Sequence, residues 1–152
     1  MAVDFSAEGI KKAENRARKH NITIETRVAN IADHDFYARL ETFDGIIADN
    51  VLHFLTPEDA EYVLGYIKEK VKPGGYAAIA SCRGVSRDLK RFEDWELYNA
   101  FDGWEIPYNC LDVGPSKDGK IRPFVEILAQ KPKAIGRTSS DWIPTGPPVG
   151  DD

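Results

Sequence analysis

The residues whose types and positions could do chemistry are Asp4, Asn30, the pair Asp49 and Asn50, His53 and Arg122. Asp4 closes a short apolar stretch and precedes a helix-forming segment. A carboxylate there can accept two hydrogen bonds from a ribose diol; helix capping or simple solvation is the other use of an aspartate at that place. Asn30 closes the next apolar stretch. Its amide both donates and accepts, as reading an adenine edge requires, and it equally suits an Asx turn. Asp49 and Asn50 follow the apolar run that begins at Phe43. Small polar groups at three successive strand ends form a pattern that none of them makes alone. His53 lies among Val51, Leu52, Phe54 and Leu55, where a hydrogen-bonded structural histidine or a catalytic base would both fit. Arg122 follows a turn; it could hold an anionic substrate or end a strand in solvent. His20 and His34 read as surface residues. The sequence shows no Ser-His-Asp order, no paired catalytic acids and no cluster spaced for a metal.

The elements that must position these residues follow from periodicity. Residues 2–6 read as the end of a strand, and Ser6 caps a helix over residues 7–19 whose last turn is basic. Asn21 stops that helix. Residues 22–28 alternate apolar and polar and carry β-branched side chains, the pattern of a half-buried strand. Residues 36–40 are short for a helix. Residues 43–55 open as a continuous apolar run, which predicts a strand buried on both faces, as in a parallel sheet covered by helices. Its polar end then lies where open α/β sheets bind ligands.

Thr56-Pro57-Glu58-Asp59 starts the next helix with a cap, a proline in the first turn and two acids. Ala60, Val63, Leu64, Ile67 and Val71 recur at helical spacing, Lys68, Lys70 and Lys72 close the helix, and Pro73-Gly74-Gly75 breaks it. A short strand over residues 76–81 follows. This helix–strand alternation predicts a parallel sheet with helical crossovers. Residues 83–89 read as polar loop and residues 92–100 as a short helix with an aromatic face. Trp95, Tyr98, Phe101 and Trp104 form a lid or core cluster. Strands over 104–111 and 121–130 flank a turn at 114–119, an antiparallel pair closing the sheet. From Pro132 onward proline, glycine, serine, threonine and aspartate dominate, and residues 132–152 are expected to be a disordered tail.

The 152 residues are 42% hydrophobic and 30% charged, which fits one globular domain, here residues 1–131. A net charge of −5 gives no electrostatic case for nucleic acid or an anionic membrane as partner. Cys82 and Cys110 are in no paired spacing, so a reducing, cytoplasmic setting is expected. No apolar run is long enough to span a bilayer.

Several segments together resemble class I S-adenosylmethionine-dependent methyltransferases: Val3-Asp4-Phe5-Ser6, Val28-Ala29-Asn30, residues 43–55, Lys72-Pro73-Gly74-Gly75-Tyr76 and Gly103-Trp104-Glu105. Residues 92–104, Asp112-Val113-Gly114 and Asp118-Gly119-Lys120-Ile121-Arg122 are similar to the tellurite-resistance methyltransferases of the TehB type. The resemblance covers roughly residues 2–131. It implies an α/β, Rossmann-like sheet, mostly parallel, with an antiparallel last strand. It implies S-adenosylmethionine as cofactor, with Asp4 at the ribose, Phe5 beside the adenine, and Asn30 and Ile31 also at the adenine. Ala48, Asp49 and Asn50 would flank the methionine part and the reacting methyl. Arg122 matches a basic residue near the acceptor site; His53 stands beside it as a catalytic candidate on its own sequence setting, not on the resemblance.

The family's first strand, helix and glycine-rich loop precede the segment that matches Val3, so the resemblance implies a sheet lacking its first strand. The hairpin after Gly114 often carries histidine in the family, whereas Pro115, Ser116 and Lys117 stand here. Three functions are expected. One is methyl transfer to a small acceptor: a tellurite-type oxyanion, a thiol or another metabolite. Another is a non-catalytic relative whose exposed sheet edges bind a partner, a second copy included. The third is a nucleotide-binding regulator, resting on Asp4 and Asn30 alone.

Overall fold

The computed structural model describes residues 1–84, 89–93, 95–115 and 119–133. Most of the expected tail, together with Ser116 to Asp118 of the hairpin turn, lies outside the described residues. The order of elements is β1 (Ala2–Asp4), α1 (Ala7–Lys19), β2 (Thr26–Val28), α2 (His34–Ala38), β3 (Phe43–Asp49), α3 (Pro57–Lys70), β4 (Val71–Cys82), α4 (Glu96–Ala100), β5 (Glu105–Pro115) and β6 (Ile121–Gln130). A one-turn 3₁₀ helix, Leu52–Phe54, separates β3 from α3.

The strands form two sheets. β1 pairs in parallel with β2, and a separate four-stranded sheet runs β3-β4-β6-β5. β3 and β4 are parallel, while β6 runs antiparallel to both β4 and β5. The sheet is thus mixed, with an antiparallel strand inserted next to β4. Among the described residues β1 and β3 each have one hydrogen-bonded neighbour.

Local chemistry explains most boundaries. Ser6 caps α1 through its hydroxyl, which accepts from Gly9 N–H at 3.3 Å, a cap generally worth about 1 kcal/mol. Asn21 ends the α1 turn with φ of 54°, a conformation asparagine tolerates. The strand expected over residues 22–28 shrinks to Thr26–Val28. Ile22 N–H is taken by the Ala17 carbonyl, and three-residue β1 gives the rest no ladder to join. Thr26 Oγ1 donates to Glu14 at 2.8 Å, tying β2 to α1. Asp33 caps α2 by accepting from Asp35 N–H, so the short segment is helical after all.

α3 has the expected inner face at Ala60, Val63, Leu64 and Ile67, but it ends at Lys70: Val71 and Lys72, expected in the helix, open β4 instead. Its C-terminal carbonyls are bound by Lys131, whose Nζ donates to Lys68 at 2.7 Å and to Val71 at 2.8 Å. β4 begins five residues earlier than the strand expected from Tyr76. Val71 pairs with Phe43, and residues 72–75 form a bulge opposite Asp44. A Cβ on Gly75 would lie 2.6 Å from the Asp44 carbonyl oxygen, so the bulge closes only around glycine.

The core lies on the larger sheet. Leu52, Val63, Val71, Phe92, Leu97, Phe101 and Val125 are fully buried or nearly so. Each large apolar side chain contributes about 1.5–3 kcal/mol on burial. Tyr37 of α2 stacks on Tyr66 of α3 with centroids 4.4 Å apart, and burial pushes its hydroxyl pKa well up. The expected aromatic cluster divides: Phe101 and Trp104 join the core, whereas Trp95 and Tyr98 meet edge to face in the open. β3 corrects the reading of a strand buried on both faces. Ala48 is buried, but Ile47 is 80% exposed: among the described residues β3 pairs along one edge only, with β4.

Candidate functional site

Each singled-out residue of β1, β2 and β3 stands at or just beyond the carboxyl end of its strand. Asp4 ends β1 half-buried, and its Oδ1 accepts from Ser6 N–H at 2.8 Å. The other oxygen rests against Gly9 in the first turn of α1. A Cβ at residue 9 would collide with that carboxylate, so glycine seats the acid on the positive helix end. Phe5, next in the chain, is 81% exposed.

β2 brings its end to the same place. Ala29 N–H donates to the Asp4 carbonyl at 3.0 Å, which sets Asn30 beside β1. Asn30 Oδ1 accepts from Ala32 N–H at 3.0 Å, the Asx turn, and leaves its NH₂ pointing outward in an exposed residue. Ile31 turns inward and packs against the core. Asp4, Phe5, Asn30 and Ile31 therefore form one group.

The second group stands on the larger sheet. Ala48 and Asp49 pair with Ile79 and Ala80, and Asn50 N–H closes the ladder on the Ala80 carbonyl at 2.8 Å. Asn50 then takes φ of 53° and turns the chain away, with its side chain donating to Asp49 Oδ1 at 2.7 Å. The next donor of β4 on that side, Cys82 N–H, has lost its strand neighbour. The His53 ring supplies the acceptor, Nδ1, at 3.5 Å. His53 is 7% exposed and tilts on Phe54.

That bond places the proton of the neutral imidazole on Nε2. Burial, and then the positive charges of Arg91 and Arg122, hold the ring pKa below its ordinary value. Arg122, exposed near the start of β6, is thus brought electrostatically to His53, as is Arg91. Arg91 Nη1 donates to the His53 carbonyl at 2.7 Å. Sequence reasoning passed over Arg91. It lies in an aperiodic loop, and only the tertiary fold lays that loop against the Leu52–Phe54 turn.

A cavity of about 360 Å³ lies elsewhere, lined by Tyr98, Asn99, Phe101, Asp102, Gly103, Trp104 and Ile106. β5 starts there and runs parallel to β4, so the cavity belongs to the amino ends of those strands. It includes Tyr98, Phe101 and Trp104 of the aromatic cluster but none of Asp4, Asn30, Asp49, Asn50, His53 and Arg122. Among the described residues no His, Cys, Asp or Glu cluster could hold a metal ion.

This arrangement has parallels in known proteins. The structure of TehB from Haemophilus influenzae aligns with a TM-score of 0.73 and 22% identity, over 85% of this chain and 48% of that one. The chain thus spans about half the length of that protein. A SAM-dependent methyltransferase from Methanosarcina mazei gives 0.67 and 18%, over 86% of this chain and 81% of that one. The N-methyltransferase NodS from Bradyrhizobium japonicum, in complex with S-adenosyl-L-homocysteine, gives 0.65 and 15%, over 86% and 65%. At such identities the likeness shows the fold. No curated protein matches in sequence. The model of a methyltransferase domain matches residues 1–129, and the chain belongs to that family.

Proposed function

We propose that the protein transfers a methyl group from S-adenosylmethionine to a small acceptor, in the manner of TehB-type enzymes. The observation that carries this reading is the run of polar groups at the carboxyl ends of β1, β2 and β3 in a chain of the methyltransferase domain family. The methyl donor of this family is S-adenosylmethionine. When bound, it supplies a methyl group activated by its sulfonium.

The residues suit the two ends of that molecule. A half-buried carboxylate beside an exposed phenyl ring, Asp4 and Phe5, fits a ribose diol and an adenine face. The free amide NH₂ of Asn30 can donate to the base, with Ile31 beneath it. Ala48, small and buried, leaves room near the methyl, and Asp49 and Asn50 edge the methionine part. His53, with Nε2–H as donor, and Arg122, as cation, orient an acceptor bearing negative charge or lone pairs. Displacement at a methyl carbon needs alignment and exclusion of water more than an acid or base. The acceptor class is a tellurite-type oxyanion, a thiol or another small metabolite.

The open edges of β1 and β3 are where the family's first strand would lie. In this proposal the family's first strand and its glycine-rich loop complete the grip on the methionine end. The setting proposed is the cytoplasm. Cys82 and Cys110 are both free thiols, and among the described residues no helix is long and apolar enough to cross a membrane. The test is transfer of label from methyl-labelled S-adenosylmethionine to tellurite or to a small thiol. Labelled product, reduced by Asp4→Ala, supports the reading.

A second reading is favoured by the same edges. Among the described residues β1 and β3 each leave one strand edge unpaired, and Ile47 stands exposed on β3. In that reading the chain is a non-catalytic module that pairs with a second copy of itself. It predicts no labelled product and concentration-dependent dimers in sedimentation. A stable monomer counts against it.

A further inference from the structure

The loop of residues 89–93 crosses the Leu52–Phe54 turn and is tied down along its length. Lys90 N–H donates to the Leu55 carbonyl at 2.7 Å, and Phe92 N–H to the Cys82 carbonyl at 3.2 Å. The Phe92 side chain is fully buried, and Lys90 pairs with Glu96 at the start of α4. Arg91 sits between these anchors. Its Nη1 donates to the His53 carbonyl at 2.7 Å and to the Lys90 carbonyl at 3.0 Å. Carbonyls at the end of a helical turn have no partner within it. Arg91 supplies one, with a charge-assisted bond that is stronger than a neutral one.

The His53 residue is therefore held at two points, its carbonyl by Arg91 and its Nδ1 by Cys82 N–H. We propose that Arg91 is a positioning residue for His53: by gripping the His53 carbonyl it fixes the turn that carries the imidazole and keeps Nδ1 on Cys82. The inference rests on the methyltransferase reading for the role of His53, but its geometry does not depend on the acceptor. Among the described residues the charged groups acting on the ring are Arg91 from this loop and Arg122 from β6, and Cys82 of β4 adjoins it. Both guanidinium charges favour the neutral ring, as does its burial.

The test is NMR on the full chain without donor or acceptor, comparing the native protein with Arg91→Met and Arg91→Lys. The His53 ring titration is assigned by its loss in His53→Gln. In Arg91→Met the midpoint of His53 rises toward the ordinary histidine value of about 6.5. Hydrogen exchange at Cys82 N–H quickens at least tenfold, while Ala77 and Ile127 amides keep their rates. Arg91→Lys keeps the charge but not the planar fork, so the midpoint stays low and the Cys82 exchange rises less. Unchanged Cys82 exchange in both variants overturns the proposal. If Arg91→Met does not fold, Arg91→Lys decides: Cys82 exchange above native supports it, and native exchange overturns it. None of these readouts requires methyl transfer. A failed transfer assay with these results indicts the function, and the reverse indicts Arg91.

Discussion

The two sheets carry the two ends of one proposed site on very different foundations. The β1–β2 pair has three residues in each strand, and Ile10 is the one buried residue among β1, β2 and α1. The β3-β4-β6-β5 sheet has strands of up to 12 residues and backs the whole core cluster. Asp4, Phe5 and Asn30 thus stand on a scaffold with little burial to hold it, while His53 and Arg122 stand on the rigid one. Regions with few buried apolar contacts open at low free energy, whatever the stability of the rest. The adenosine side should therefore be the adaptable half of the site and the acceptor side the fixed half.

The largest expected effect is in hydrogen exchange. Amides of β4 and β6 should exchange through global unfolding, and those of β1 and β2 at least a thousandfold faster through local opening. Equal protection would erase the contrast. Next comes side-chain truncation, read by denaturant unfolding. Phe101, 1% exposed, lies in the core of the larger unit, and Phe101→Ala should cost about 3–5 kcal/mol. Ile10→Ala in the smaller unit should cost about 2 kcal/mol or less, because that unit has little else to collapse with it. Reversal of that order would place the stability in the wrong half.

A smaller effect concerns pH. The folded pKa of His53 lies below its unfolded value, so the contribution of the neutral ring is fully present above the unfolded value of about 6.5. As pH falls through that value the unfolded chain binds the proton first. Stability then declines until the pH has passed the lower folded value. His53→Gln, which can still accept from Cys82 N–H, should flatten this acid limb of the stability curve. An unchanged limb would show that the ring does not titrate in this environment.

How much of this could be read from the sequence differs between the two halves. The apolar spacing of α3 through Ile67 and the Ser6 cap are local signals, and the structure has them where the pattern put them; β5, by contrast, runs on to Pro115, past the strand end expected at residue 111. The polar strand ends were legible because each is a change of character within a few residues. The early start of β4 was not. Its signal, Pro73-Gly74-Gly75, is that of a helix break, and only pairing with Phe43 turns it into a bulged strand. The exposure of Ile47 was hidden for a related reason. Periodicity reports what a strand could bury, not whether a neighbour is present to bury it. Arg91 had no local signature, since its role depends on a carbonyl 38 residues away in the chain.

The most direct test of the split site is an amide-shift titration of the isotope-labelled chain with S-adenosylmethionine. Shifts should appear at Phe5, Asn30 and Ile31 and also at Ala48, Asp49 and Asn50. Saturation at millimolar ligand, about −4 kcal/mol of binding, is what the proposed reading expects of residues 1–152 alone. Asp4→Asn should remove the first set. Shifts confined to the cavity between Tyr98 and Ile106, no shifts at all, or micromolar saturation would contradict the account.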